Sequence, residues 1–359
     1  MNIRLHLNEV GFEHHPEILT AVQTFGFTDV GLKYYYSTGD HEILLKALEE
    51  YSGVKEDWIM IGNGSTDFLR MLVCELIKQG DSVVFADPSY LDFKMFVKHV
   101  GGIMVTHTLD PKNPPKPGSK HLLLEPLVNI DKTKMIFICT PGNPISIVWT
   151  APEIEYLCKK FPQQMVVIDQ AYYEFQPKLE DGIVDVVKRY PNAVLLRTFS
   201  KGFGLAGMRL GYMIANPKTV NRYRDCYRLK QVNNLVARLG WLTLKNFVYY
   251  MKRVEEIKKV RDWTRSEIDR IGMGLGWLTI PSVTNFFLVY LGEGVAKRCL
   301  EWLRDERGIL VREMEDAHGL VGYFRVSVGS RDEMEVFVKA MTEFAEMERE
   351  RLSTTIDDE

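Results

Sequence analysis

From Trp58 onward the chain repeats one alternation: a short, continuously apolar run, then a segment of helical period. The runs are WIMIG, SVVFAD, MIFICT, MVVID, AVLLRTF and LGYMIA; between them lie segments such as STDFLRMLVCELIKQG, SYLDFKMFVKHVGG and APEIEYLCKKF. Strands without polar alternation must be covered on both faces, and helical connections let successive strands run parallel. The pattern predicts an α/β fold, with a mainly parallel central sheet in a large domain over residues 30–245. Amphipathic helix signals then cover about 220–271. Beyond them SVTNFFLVYL, GILVREM, YFRVSVG and a helix from Asp332 to about Met347 predict a smaller α+β C-terminal domain over residues 246–359. Residues 1–29 are expected to form an N-terminal arm packing with the smaller domain. The proline-rich stretch 111–120 (PKNPPKPGSK) reads as an exposed loop, and the charged tail RLSTTIDDE as a frayed end.

A chain of 359 residues can bury a large core. Its net charge of −3 gives no global attraction to nucleic acid or to an acidic membrane surface. An anionic ligand must therefore be held by a few local cations and backbone N–H groups. The five cysteines, Cys74, Cys139, Cys158, Cys226 and Cys299, are odd in number and form no C-x-x-C pair, which points to reduced thiols in a cytoplasmic protein. No apolar run reaches membrane-spanning length, and the eight histidines have no metal-ligand spacing. No metal site is expected.

The stretch RTFSKGFGLAGMRLGY contains Gly202-Phe-Gly204-Leu-Ala-Gly207, which matches the dinucleotide fingerprint G-x-G-x-x-G. That fingerprint needs a helix opening directly after the glycines and an acidic residue about twenty positions on. Here Met208–Ala215 is β-rich, and Asp225 falls in a helical stretch. The glycines should join two strands, so a nicotinamide or flavin function is not expected. What remains is Lys201 and Arg209 at either end of a glycine-rich loop after a buried strand. Alone, they read as a solvated lysine and a surface ion-pair arginine.

Several other strand ends carry polar groups. MVVID ends in Asp169, in the region beyond the strand carboxyl ends where open α/β sheets bind ligands. Asn63-Gly64-Ser65-Thr66 follows WIMIG and opens a helix, so its N–H groups suit a phosphate, although Ser65 serves equally as a plain N-cap. Asp87-Pro-Ser-Tyr90 and Thr140-Pro-Gly-Asn143-Pro144 follow two further strands, where packing and turn formation are the simpler uses.

Taken together and in order, these segments resemble the fold-type-I pyridoxal-phosphate aminotransferases, most closely the histidinol-phosphate aminotransferase branch. The matching stretches are Gly62–Asp67, Asp87–Tyr90, Thr140–Pro144, Asp169–Glu174, Ser200–Arg209 and Phe324–Gly329. The resemblance implies the type I transferase fold, a pyridoxal 5'-phosphate cofactor and a homodimer with shared active sites. It implies that Lys201 holds the cofactor covalently and then moves the substrate proton, that Asp169 pairs with the pyridine nitrogen, and that Asn143 and Tyr172 bond its phenolic oxygen. Tyr90 would stack on the ring. Gly64, Ser65, Thr66, Ser200 and Arg209 would hold the phosphate, joined by Tyr35 of the neighbouring subunit. Arg325 would grip the substrate carboxylate, with Asn285 in a supporting position, and Arg312 would hold a distal phosphate.

The resemblance leaves the substrate open. Asn8-Glu9-Val10 lacks the proline usual after this pair, Tyr36-Ser37 stands where the branch has proline and an acidic residue, Ile145-Ser146 where it has Thr-Gly, Gln170 where it has Glu, and Thr66 at an often acidic position. The expected activity is transfer of an amino group between an amino acid, or an amino-alcohol phosphate such as histidinol phosphate, and a 2-oxo acid such as 2-oxoglutarate. The alternatives are a threonine-phosphate decarboxylase or an aspartate or aromatic aminotransferase of the same fold. A non-catalytic effector sensor on this fold would carry a separate DNA-binding domain.

Overall fold

The computed structural model describes residues 2–25, 39–116, 118–177, 179, 182–226 and 232–357, with only the backbone of residues 225–226 and 355–357. Its strands are β1 (Ile3–Leu5), β2 (Ile59–Gly62), β3 (Ser82–Asp87), β4 (Ile103–Thr108), β5 (Thr133–Cys139), β6 (Met165–Asp169), β7 (Ala193–Thr198), β8 (Gly211–Ala215), β9 (Leu278–Thr279), β10 (Phe286–Tyr290), β11 (Ile309–Glu313) and β12 (Tyr323–Ser327). The chain divides into two compact units. One contains Glu13–Asn143 and Ile147–Lys252; the other contains Met1–Phe12, Pro144–Ser146 and Arg253–Glu359.

The larger unit carries a seven-stranded sheet in the order β2-β8-β7-β6-β5-β3-β4. β4, β3, β5, β6 and β7 are mutually parallel, and β8 runs antiparallel to both β7 and β2. All six apolar runs became strands. Every residue of β7 and β8 is buried, as full cover on both faces requires. Helices Ser65–Leu76 and Leu91–His99 supply part of that cover, setting Phe68, Leu69, Leu72, Phe93 and Val97 into a cluster with Phe85, Phe137, Val167 and Leu196. Local signals hold the helices in register. Gly53, at φ 67°, ends the helix Asp40–Ser52 by returning its N–H to the Glu49 carbonyl. At the start of Ala151–Lys160, the Thr150 N–H donates to the Glu153 carboxylate at 2.8 Å.

The smaller unit carries a five-stranded sheet in the order β1-β11-β12-β10-β9. β1 is parallel to β11, so a three-residue N-terminal strand pairs with one more than 300 positions away. The C-terminal helix runs from Arg331 to Asp357. Of the tail RLSTTIDDE, expected to fray, residues 351–357 continue this helix, and the Ser353 and Thr354 hydroxyls bond back to the Glu350 and Arg351 carbonyls; the last two residues lie outside the described ones.

Candidate active site

The phosphate-binding end is built first, by glycines. Gly64, at φ 81°, turns the chain from β2 into the helix Ser65–Leu76 and is its N-cap, with no side chain capping the exposed N–H groups. Ser65 therefore lies inside the helix rather than capping it. A Cβ on Gly64 would sit 2.9 Å from a guanidinium nitrogen of Arg209, and one on Gly211 would lie 2.6 Å from the Ser65 nitrogen. Side chains are excluded there so that Arg209 can approach the helix end. Arg209 holds a left-handed φ of 53° and donates to the Ser200 hydroxyl at 3.3 Å and the Ala206 carbonyl at 3.2 Å. Thr198 fixes Ser200 from below, its hydroxyl 3.0 Å from that of Ser200 and 3.1 Å from the Ser200 nitrogen. An open helix N-terminus, a guanidinium and a hydroxyl converge, and each favours an anion.

The fingerprint glycines occupy the connection between β7 and β8, interrupted only by a single 3₁₀ turn at Ala206–Met208. No helix follows them, which excludes a dinucleotide turn at this position.

Beside this end, β6 delivers Asp169, paired in register with Cys139 of β5. Asp169 is 3% exposed and accepts from the Ala171 N–H at 2.9 Å. Burial raises its carboxyl to about pKa 7, against the opposing pull of that N–H and of the Lys201 ammonium. Lys201 Nζ lies 5.9 Å from the ring centre of buried Tyr172. The loop carrying Asn143 is tied to the same strands, with Thr140 N–H donating to the Asp169 carbonyl and Trp149 N–H to the Thr140 hydroxyl, each at 2.9 Å. Tyr90 follows β3. Its hydroxyl donates to Asp92 at 2.6 Å and lies 3.1 Å from the Thr66 hydroxyl, and burial together with Asp92 raises its pKa.

A layer beneath the Lys201 loop has no counterpart among the expected residues. A Cβ on Gly202 would fall 2.5 Å from Glu174 Cβ, so the backbone after Lys201 rests directly on that side chain. Glu174 is buried, its carboxyl raised by burial to about pKa 7, and it accepts from Tyr51 at 3.1 Å. Buried Arg197 donates from Nε to Gln170 at 2.9 Å and stacks 3.4 Å above the Tyr173 ring. Gln170, one of the departures from the family pattern, thus has a structural use. The available signal was a charged residue inside an apolar run, Arg197 in AVLLRTF. Gly202→Ala is expected to overpack this contact by about 1–3 kcal/mol and lower Tm by a few degrees. An unchanged melting curve would contradict so close an approach.

In the smaller unit, Arg325 of β12 is 7% exposed, donates from Nη2 to the His6 carbonyl at 3.0 Å, and holds its guanidinium 5.2 Å from the Phe286 ring centre. Arg312 of β11 faces it directly across the antiparallel ladder. Asn285 donates to the Asn8 carbonyl at 3.0 Å, while Asn8 N–H donates to the Ser327 hydroxyl at 2.7 Å. The N-terminal segment is thereby fastened to the strands bearing the arginines. Tyr35 and the departure at Tyr36-Ser37 lie outside the described residues. Among the described residues no cluster of histidine, cysteine or carboxylate side chains could hold a metal, and no helix is long and apolar enough to cross a membrane.

A mainly parallel sheet with an anion cradle, a buried carboxylate and a lysine at its strand ends defines a cofactor-dependent transferase of the type I fold. The model of the family "aminotransferase class I and II" matches residues 3–341, and the chain belongs to that family. It is a pyridoxal-phosphate-dependent transaminase. The histidinol-phosphate aminotransferase of Citrifermentans bemidjiense is 30% identical over 347 residues, covering 95% of this chain and 91% of that protein. The structure of the Sinorhizobium meliloti histidinol-phosphate aminotransferase in complex with pyridoxal-5'-phosphate superposes with a TM-score of 0.84 at 25% identity, covering 97% of this chain and 91% of that one. An L-threonine-O-3-phosphate decarboxylase from Porphyromonas gingivalis shares the fold, with a TM-score of 0.78 at 19% identity over 96% of this chain and 99% of that one. The residues present fit the cofactor. The cradle at Ser65, Ser200 and Arg209 suits its phosphate, and buried Asp169 suits a protonated ring nitrogen.

Proposed function

We propose that this chain transfers the amino group of a phosphorylated amino donor such as histidinol phosphate to a 2-oxo acid such as 2-oxoglutarate. The observation that carries the donor class is the pair Arg312 and Arg325, two like charges placed directly opposite each other. Such a pair costs stability unless an anion sits between. The curated relatives named above as histidinol-phosphate aminotransferases support the same reading.

Pyridoxal phosphate, when bound, supplies the electron sink that lets the donor's α-proton leave. The chain's residues do the rest. Gly64 keeps the helix end open, and the Ser65 and Thr66 N–H groups, the Ser200 hydroxyl and Arg209 hold the cofactor phosphate. Asp169 keeps the ring nitrogen protonated, Asn143 and Tyr172 bond the phenolic oxygen, and Tyr90 lies against the ring. Lys201 carries the cofactor covalently, and its Nζ takes the donor's α-proton and gives it back. Arg325 and Arg312 hold the substrate anion, while Asn285 braces the N-terminal segment. A homodimer in which Tyr35 reaches the neighbouring subunit's cofactor phosphate completes the reading. So does a cytoplasmic location, in which Cys74, Cys139, Cys158 and Cys299 stay free thiols as they are here.

Arg312→Ala should raise KM for histidinol phosphate about tenfold or more with little change in kcat, through loss of a charge-assisted contact of roughly 1.5–3 kcal/mol. An unchanged KM for that donor removes Arg312 from the substrate site.

A further inference from the structure

Two groups on the smaller unit's sheet have no protein partner. Nδ1 of His6 is buried and makes no hydrogen bond. The Arg312 side chain makes no hydrogen bond or ion pair among the described residues. Both lie close to Arg325. β1 and β11 pair Leu5 with Val311, the residues directly before His6 and Arg312, and the chain bends at His6. The imidazole there lies within reach of the charges of Arg4, Arg312 and Arg325. The Arg312–Arg325 pairing adds Arg325, whose guanidinium already touches the His6 carbonyl.

The charged groups acting on the imidazole are Arg4, Arg312 and Arg325, with Glu9 opposing them. Glu9 is ion-paired to Arg4 at 3.0 Å, and the Arg312 guanidinium has no ion pair among the described residues. Burial first, then the arginines, hold the imidazole below its usual pKa, so it is largely neutral at pH 7. A phosphate monoester, carrying a charge of about −1.5 to −2 at pH 7, would match Arg312 and a protonated His6 together.

We propose that His6 completes an anion site with Arg312 and Arg325 and takes up a proton when a phosphate monoester binds there. The inference rests on reading the two arginines as ligands of the substrate anion. A dianion beside the ring raises its pKa. Between the free and bound pKa values, binding therefore consumes a proton and weakens as the pH rises. Above both values, the neutral ring adds no charge.

Sulfate is the probe, because it remains a dianion from about pH 5 to 9 and only the protein titrates. Its binding to the holoenzyme, whose cofactor phosphate site is filled, is measured by titration calorimetry in buffers of different ionisation heat. The wild-type protein is expected to take up a substantial fraction of a proton per site at pH 7. His6→Gln and His6→Asn should take up none and bind about tenfold more weakly at pH 6, with the gap closing by pH 9. Arg312→Gln should lose most of the affinity. Unchanged affinity and proton uptake in both His6 variants, with Arg312→Gln still impaired, overturns the role of His6 alone. Unchanged sulfate binding in Arg312→Gln overturns the anion site itself.

Discussion

Lys201→Ala is expected to replace the Schiff-base absorbance of the holoenzyme with that of the free cofactor aldehyde and to cut kcat by on the order of 10⁴-fold or more. In the proposed reading two functions are lost with one side chain: the covalent hold on the cofactor and the amine that takes and returns the donor's α-proton. The phosphate cradle is untouched, since the open helix end, Ser200 and Arg209 are fixed by other contacts. The variant should therefore still bind the cofactor, but reversibly. Borohydride treatment followed by peptide mapping should place the label on Lys201 in the wild-type protein and nowhere in the variant. A label on any other lysine would falsify the assignment.

Asp169→Asn should lower kcat by on the order of 10²–10³-fold, because a neutral amide cannot keep the ring nitrogen protonated. The same substitution has a signature in the cofactor-free protein. The folded Asp169 carboxyl titrates near pKa 7, against about 3.8 as the ordinary value. The folded state thus keeps a proton that the unfolded chain releases between about pH 4 and 7. The stabilisation is full below pH 4 and is lost as the pH rises through 7. Tm of the cofactor-free protein should fall over that range, and less steeply in Asp169→Asn. Glu174, also raised to about 7, retains the remaining slope. Parallel Tm curves for variant and wild-type would contradict the buried, proton-holding carboxyl.

What the sequence made legible divides along physical lines. The strands β2, β3, β5, β6, β7 and β8 were readable because both faces are covered, which leaves an unbroken apolar run. β4 escaped because it is the sheet edge: Ile103, Met104, Thr106 and Thr108 are exposed, and IMVTHT carries polar residues. The large-unit residues whose placement was expected at strand ends, Asp169, Asn143, Tyr90, Ser65 and Lys201, are found there because the cofactor end of such a sheet follows from its topology. Of the support beneath them only Arg197 left a signal, a charge inside an apolar run. Glu174 is a charged residue that a linear reading assigns to the surface, and only the fold brings it under Gly202. His6 was invisible for a similar reason. Its neighbours Arg312 and Arg325 lie more than 300 residues away and meet it through one short parallel pairing.

The proposed reaction is tested most directly by mixing the pyridoxal-phosphate holoenzyme with histidinol phosphate in the absence of any 2-oxo acid. The account predicts conversion of the cofactor to its pyridoxamine form, one equivalent per active site, and its reversal on addition of 2-oxoglutarate. No spectral change with histidinol phosphate, alongside release of carbon dioxide from threonine phosphate, would contradict it and select the decarboxylase.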